Sequence, residues 1–156
     1  MKITDIRFNM LRVPLKTPFK TALRTVDFIE DVIVTVHTDQ GNVGYGEAPA
    51  TAVITGDTHG SIVEAIKKYI APRIIGEDVA DLNRITQLIQ GSLEKNSSAK
   101  AAVEIAVYDL FGQLYNAPLY KLLGGGDPVI TTDITSSVYY IDKMVADSIA
   151  AVDRGF

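Results

Sequence analysis

The sequence predicts an α+β fold: a three-stranded antiparallel sheet and a helix bundle, followed by the first strand and helix of a βα arrangement. Three observations predict it. Up to residue 48, apolar residues alternate with polar ones. From there to residue 123 they recur at helical spacing, and a new run begins after three glycines at 124–126. Strands followed by helices are typical of α+β domains, whereas a later strand–helix pair begins a parallel unit. We therefore expect one domain at residues 1–127 and the start of another at 128–156.

Three strands are expected in the first part of the chain. Apolar side chains alternate at residues 6–10, which include Met10, and again at the valines of residues 32–36. Residues 39–42 have turn composition, and residues 43–47 return as the third strand. Residues 14–28 are predicted as a long loop because the two prolines within it cannot donate to a strand ladder. A second loop is expected at residues 49–59.

Apolar residues at helical spacing predict four helical segments, at residues 61–70, 82–93, 97–115 and 119–123. The core-facing side of the first segment is expected to carry Ile62, Ala65, Ile66 and Tyr69. The third segment should be capped by Ser97 or Ser98, and the last is stopped by the glycines at 124–126. Residues 128–140 are then predicted as a strand and residues 141–156 as a helix.

Composition excludes several classes of function. The net charge is −4, with no block of like charges and no basic stripe, so we expect no nucleic-acid partner. No cysteine is present, which excludes disulfides and thiolate metal sites. The N-terminus has no apolar segment typical of a signal peptide, and no apolar run reaches the length of a membrane span. We therefore expect a cytoplasmic protein with no membrane partner.

The residues offer no complete catalytic constellation. His37 and His59 have no partner at metal-ligand spacing, so structural roles are favoured for both. Glu104 and Asp109 lie five residues apart on a helix, about 140° around its axis, and do not share a face that would chelate one ion. The loop at residues 14–28 carries three cations, and Arg24 among them could clamp a carboxylate with a two-pronged hydrogen bond. From these residues alone, a solvated loop is the favoured alternative.

Five segments carry a resemblance to a known family: KTALRT at 20–25, VGYGEAP at 43–49, ITGD at 54–57, SAKAAVEIAVYD at 98–109 and PLYKLLGG at 118–125. In order and spacing they resemble the start of the muconate-lactonizing branch of the enolase superfamily. The first and third resemble most closely the L-Ala-D/L-Glu dipeptide epimerases. The resemblance covers essentially the whole chain.

The resemblance implies an α+β capping domain followed by the start of a (β/α) TIM-like barrel, truncated at Phe156. In this family two capping-domain loops select the substrate, and residues 14–28 and 49–59 match them. Arg24 matches the arginine that binds the side-chain carboxylate of the substrate glutamate. Ile54 lies where the second loop contacts the substrate, and Thr135 matches a threonine facing the site. The implied partner is a small dipeptide, and family members are commonly homo-oligomers.

The chemistry of the family is expected beyond Phe156. The resemblance implies a Lys-x-Lys pair, an opposed lysine and three carboxylates that hold Mg²⁺, none of which has a matching position here. As is typical of the enolase superfamily, the α-proton would be removed through an enediolate that the cation stabilises. The chain alone is therefore expected to be inactive. The alternatives are a muconate cycloisomerase, an o-succinylbenzoate-synthase-like enzyme, an epimerase for another dipeptide or, if 156 residues is the native length, a non-catalytic α+β module.

Overall fold

The computed structural model describes residues 1–127 and 129–156. Its strands are β1 (Ile3–Lys20), β2 (Thr25–Thr38) and β3 (Val43–Pro49). Its helical segments are α1 (His59–Ala65), a π-helical turn (Ile66–Ile70), α2 (Ala71–Ile74), α3 (Leu82–Gln90), α4 (Ser97–Leu114), α5 (Leu119–Leu122) and α6 (Ile141–Asp153). The chain forms two compact units, Met1–Leu11 with Glu30–Gly126 and Arg12–Ile29 with Asp127–Phe156. No helix in the described part of the chain combines the length and apolar character that a bilayer span needs.

The strands form one sheet in the order β1-β2-β3. β2 and β3 pair antiparallel from Asp31 opposite Pro49 to His37 opposite Val43. The valines at 32, 34 and 36 of β2 are fully buried, as their alternation predicts. The predicted alternation is less regular in β1, where Ile3 and Ile6 are buried but Met10 is exposed. A three-stranded antiparallel sheet with a set of helices confirms the predicted fold class.

The prediction of a long loop at residues 14–28 is wrong. β1 continues to Lys20 and β2 begins at Thr25, so the two strands extend as a ribbon joined by a short turn. β1 lies at the edge of the sheet, where a residue needs no N–H donor on its outer side. Pro14 and Pro18 are four residues apart, and their backbone groups therefore face the same side. The Pro18 carbonyl accepts a hydrogen bond from the Tyr139 hydroxyl, which identifies that side as the one facing away from β2.

The first helical region is interrupted by a π-helical turn at Ile66–Ile70, which the sequence pattern does not predict. Isoleucines recur every fourth residue, and all four are fully buried: Ile62, Ile66, Ile70 and Ile74. An α-helix has about 3.6 residues per turn, so a four-residue repeat would drift around it. The wider π turn, with its i→i+5 hydrogen bonds, keeps the repeat on one face. The π turn also rotates Tyr69 away from the core, so that 52% of this residue is exposed. The prediction that Tyr69 faces the core is therefore wrong.

α4 packs against β3 and holds the helices to the sheet. It is apolar on its inner side, where residues such as Ala102, Val103 and Ala106 are fully buried. Its bounds match the prediction within a residue, but its cap does not. Asn96 occupies the cap position in a left-handed conformation, without a side-chain capping hydrogen bond. α3 ends at Gln90, three residues earlier than predicted, because Gly91 follows it.

In the second unit, α6 confirms the predicted helix, although it ends at Asp153. The predicted strand at residues 128–140 is not observed: Pro128 lies outside the described residues, and residues 129–140 are not in a strand. A strand requires a ladder of backbone hydrogen bonds, and this segment shows only isolated ones. The Val138 N–H donates to the Lys20 carbonyl at 2.8 Å, and the Lys20 N–H donates to the Ser137 hydroxyl at 3.3 Å.

Candidate functional site

Arg24 lies at the tip of the ribbon that β1 and β2 form. It follows a turn that begins at Thr21 and leads directly into β2. The residue is half-buried, and within the described part of the chain its guanidinium makes no hydrogen bond or ion pair. A guanidinium presents two parallel N–H donors that match a carboxylate. Arg24 therefore has its charged group available for an anionic partner.

The turn is held by Thr21. The Thr21 N–H donates to the Arg24 carbonyl at 2.8 Å. The Thr21 hydroxyl accepts from the N–H groups of Leu23 and Arg24, each at 3.2 Å, and donates to the Arg24 carbonyl at 3.3 Å. Thr21 was not among the site residues predicted from the sequence. The available signal was a hydroxyl residue at the first position of a tight turn, where small polar side chains bond the backbone.

Ile54 lies on the second predicted loop, which the structure confirms as non-periodic between β3 and α1. The N–H groups of Ile54 and Thr55 both donate to the Thr51 carbonyl at 2.9 Å. The compact turn that results leaves the Ile54 side chain 64% exposed, next to an equally exposed Val53. Two exposed apolar side chains at a loop tip form a surface that suits contact with an apolar part of a ligand.

Asp57 anchors this loop to α4. Its side chain is 7% exposed, and its carboxylate accepts a hydrogen bond from the Ser98 hydroxyl at 2.7 Å. The Asp57 N–H donates to the Thr55 hydroxyl at 3.3 Å. Gly56 supplies the positive φ of 82° that turns the chain between the loop tip and the anchor. Ser98, predicted as a helix cap, therefore serves instead to fix the loop that carries Ile54.

Thr135 lies in the second unit, where it lines a cavity of about 260 Å³. The cavity is rich in hydroxyl groups and also has two cations, Lys143 and Arg154. Lys143 is paired with Asp147 at 2.8 Å. Arg24 belongs to the same unit but is not among the described residues that line this cavity, whereas Ile54 belongs to the other unit. The three predicted site residues thus lie on three different elements: the ribbon tip, the loop before α1 and the segment before α6.

The other candidate residues have structural partners, as favoured from the sequence. His37 bonds the Thr35 hydroxyl at 3.1 Å, and His59 bonds the Glu30 carbonyl at 2.9 Å. Asp109 accepts the Tyr45 N–H at 3.0 Å, which joins α4 to the outer residues of β3. Glu104 likewise accepts the side-chain amide of a glutamine at the end of α3.

Glu47 has a raised pKa. It lies on the exposed face of β3, opposite the buried Gly44 and Gly46, and Asp31 lies near it on β2. The shared hydrogen bond between their carboxyl groups is the main cause, and partial burial and the negative charge of Asp31 raise the pKa further. The carboxyl group of Glu47 therefore holds its proton more tightly than an isolated glutamate does.

Replacing Glu47 by glutamine is expected to change how stability depends on pH. Because the folded state holds the Glu47 proton more tightly than the unfolded state, its contribution to stability is present below the unfolded pKa, near 4.3. It is lost as the pH rises through the raised folded-state pKa. We expect the free energy of unfolding of Glu47→Gln, relative to wild type, to increase across this window, measured by urea unfolding at several pH values.

Glu64→Gln provides the matched control. Its hydrogen bond to Lys68 lowers the pKa of Glu64, so this contribution to stability is present above the unfolded pKa and lost as the pH falls. The two variants should therefore differ from wild type with opposite pH slopes. Parallel slopes would contradict the raised pKa of Glu47.

Comparison with known proteins identifies the family. Residues 3–124 match the model of the mandelate racemase / muconate lactonizing enzyme N-terminal domain. The chain belongs to the mandelate racemase / muconate lactonizing enzyme family. The predicted resemblance to the muconate-lactonizing branch of the enolase superfamily is thereby confirmed, and the matched residues cover the whole sheet and helices α1 to α5 of this family's N-terminal domain.

Several family members are similar over the whole chain. The L-Ala-D/L-Glu epimerase of Clostridium acetobutylicum is 50% identical over 156 residues, all of this chain and 44% of that protein. The substrate-liganded L-Ala-D/L-Glu epimerase of Bacillus subtilis has a TM-score of 0.94 at 47% identity, covering 100% of this chain and 44% of that chain. The dipeptide epimerase of Enterococcus faecalis, complexed with Mg and L-Leu-L-Tyr, has a TM-score of 0.92 at 35% identity, with 100% and 44% covered. The chain thus spans less than half the length of these relatives.

A site for Mg²⁺ requires several oxygen ligands around one position. The cation prefers carboxylate oxygens and near-octahedral geometry. The described residues bring no three His, Asp or Glu side chains together in a group that could hold a metal ion. They do not fit such a site, so none is assigned to them.

Proposed function

We propose that this chain is the N-terminal, substrate-selecting portion of a Mg²⁺-dependent dipeptide epimerase that acts on L-Ala-L-Glu and its D-Glu epimer. The observation that carries the proposal is the half-buried guanidinium of Arg24 at the ribbon tip, which has no partner among the residues that the structure describes. An L-Ala-L-Glu dipeptide presents a side-chain carboxylate that such a group can bind with two hydrogen bonds. The similarity to two L-Ala-D/L-Glu epimerases at 47–50% identity supports the same substrate.

The other two residues receive complementary roles in this proposal. Ile54 would contact the substrate from the second loop, and its exposed side chain on a loop anchored through Asp57 supports that role. Thr135 would face the substrate from the start of the barrel, and its position in a hydroxyl-lined cavity supports a polar contact. The α-proton transfer itself is assigned to residues of a barrel, and none of the residues described here is given that role.

Residues 1–127 would form the capping domain, and residues 128–156 would begin the barrel. The surface of α6 supports this division, because Val145, Ile149 and Val152 are each more than half exposed. A helix with an apolar side of this kind normally packs against further structure. The segment before it also exposes Val129 and Ile130. We propose a cytoplasmic enzyme that assembles as a homo-oligomer, in keeping with the sequence expectations.

The first test is the coding sequence downstream of the Phe156 codon. We expect an open reading frame with a Lys-x-Lys pair shortly after this codon, followed by spaced Asp and Glu residues at later strand ends. A stop codon at that position would contradict the proposal and favour the non-catalytic module.

The second test is proton exchange in the complete protein. In D₂O with Mg²⁺, an epimerase that removes the α-proton should replace the glutamyl α-hydrogen of L-Ala-L-Glu with deuterium, and proton NMR detects the loss of that signal. A parallel assay with muconate and with the o-succinylbenzoate precursor distinguishes the alternative activities. Turnover of either acid without exchange of L-Ala-L-Glu would refute the proposed substrate.

A further inference from the structure

The hydroxyl of Thr21 uses all of its hydrogen-bonding capacity within the turn that carries Arg24. A hydroxyl group offers one donor and two acceptor positions. Both acceptor positions are occupied, by the N–H groups of Leu23 and Arg24, and the donor is directed at the Arg24 carbonyl. Three of the four hydrogen bonds that Thr21 makes in the turn involve the backbone of Arg24 itself.

The conformation of the turn explains why it depends on this side chain. Two-residue hairpin turns favour a positive φ, because that geometry matches the twist of the flanking strands. The non-glycine residues with positive φ in the described part of the chain are Lys95, Asn96 and Asn116, so the two central residues of this turn do not adopt it. The side-chain hydroxyl instead accepts the Arg24 N–H and closes the turn, as in other turns that begin with a hydroxyl residue.

We propose that Thr21 is a positioning residue for Arg24, and that its hydroxyl sets the direction of the guanidinium toward the substrate carboxylate. The inference rests on the proposed function, because it assigns Arg24 to substrate selection. A two-pronged hydrogen bond requires the fork and the carboxylate to be coplanar and correctly spaced. Loss of a residue that supports the arginine therefore weakens the contact with the carboxylate, even when the arginine itself remains.

The test compares Thr21→Val, which keeps the shape and removes the hydroxyl, with Thr21→Ser, which keeps the hydroxyl. For L-Ala-L-Glu we expect Thr21→Val to raise KM about three- to tenfold, the usual range for a lost hydrogen bond, with kcat nearly unchanged. Thr21→Ser should recover most of the wild-type KM. The KM for L-Ala-L-Gln, which lacks the carboxylate, should not respond to Thr21→Val. Thr25→Val, at an exposed threonine on the same ribbon, is the matched control.

Amide hydrogen exchange at residues 23 and 24 gives a readout that does not depend on activity. We expect exchange at both amides to be faster in Thr21→Val by about three- to tenfold, and restored in Thr21→Ser. Unchanged exchange, or equal KM changes for the two dipeptides, would overturn the inference. If exchange responds but the wild-type protein does not epimerise L-Ala-L-Glu, then the proposed function fails. In that case the role of Thr21 in substrate selection is also refuted, although the exchange result still supports its role in stabilising the turn.

Discussion

Replacing Arg24 by alanine is expected to lower kcat/KM for L-Ala-L-Glu by about 30- to 700-fold, which corresponds to about 2–4 kcal/mol. The guanidinium is half-buried and has no other partner within the described part of the chain. Without it, the side-chain carboxylate of the substrate would be partly desolvated with no opposite charge, which is the costly case for an ion. Steady-state kinetics of epimerisation in the complete protein, with Mg²⁺ present, would measure the loss.

Two controls separate a specific contact from a general effect of charge. L-Ala-L-Gln is nearly isosteric but neutral, so Arg24→Ala should change its turnover little. Lys20→Ala removes a cation from the same ribbon, and only the backbone of Lys20 takes part in hydrogen bonds with Ser137 and Val138. We expect Lys20→Ala to change kcat/KM for L-Ala-L-Glu only slightly, because most exposed charges contribute little. Equal losses for the two dipeptides would refute the assigned role of Arg24, and equal losses in the two variants would reduce it to nonspecific attraction.

The sequence indicates Arg24 as a candidate site residue, but it predicts a long loop around this residue where the structure has two strands and a short turn. Prolines exclude a residue from a ladder only where an N–H donor is needed, and the sequence does not show which strand lies at the edge. The turn is also held by hydrogen bonds of the Thr21 side chain. These bonds depend on the backbone conformation of the turn, which the spacing of residues does not predict. The loop with Ile54 was easier to predict, because no periodicity competes with its turn residues.

Predictions of the fold succeed where one face of an element is buried. They fail where the conformation of a segment depends on the element that it packs against or pairs with. The alternating valines of β2 and the apolar inner side of α4 are correct, since both patterns reflect burial directly. The π-helical turn at Ile66–Ile70 escapes detection because a repeat of four residues is compatible with an ordinary helix over a short window. Residues 129–140 are rich in β-branched residues and tyrosine, which is strand composition, but a strand also requires a ladder partner that local sequence does not specify.

Replacing Gly46 by alanine is expected to destabilise the folded protein by at least about 3 kcal/mol, at or beyond the upper end for an added core methylene. A Cβ atom at this position would lie 1.8 Å from the carbonyl oxygen of Ala102 and 2.8 Å from its carbonyl carbon. Both are backbone atoms of α4, so no side-chain rotation relieves the contact, and either the helix or β3 must move. Gly44 has the same close approach, at 2.1 Å from the Ala106 carbonyl oxygen.

The loss would be measured as the change in urea-unfolding free energy, followed by circular dichroism, and compared with Gly60→Ala. A Cβ at Gly60 meets no atom of the described residues within 4 Å, and the position is helical, so alanine there should be neutral or stabilising by up to about 1 kcal/mol. β3 ends at Pro49, where the loop with Ile54 begins, so a displaced β3 should also disturb that loop. Any folded fraction of Gly46→Ala should therefore lose activity as well. A wild-type unfolding midpoint in Gly46→Ala would show that α4 and β3 are farther apart than described here. The small residues of α4 would then have to be explained by helix propensity alone, rather than by the approach of two backbones.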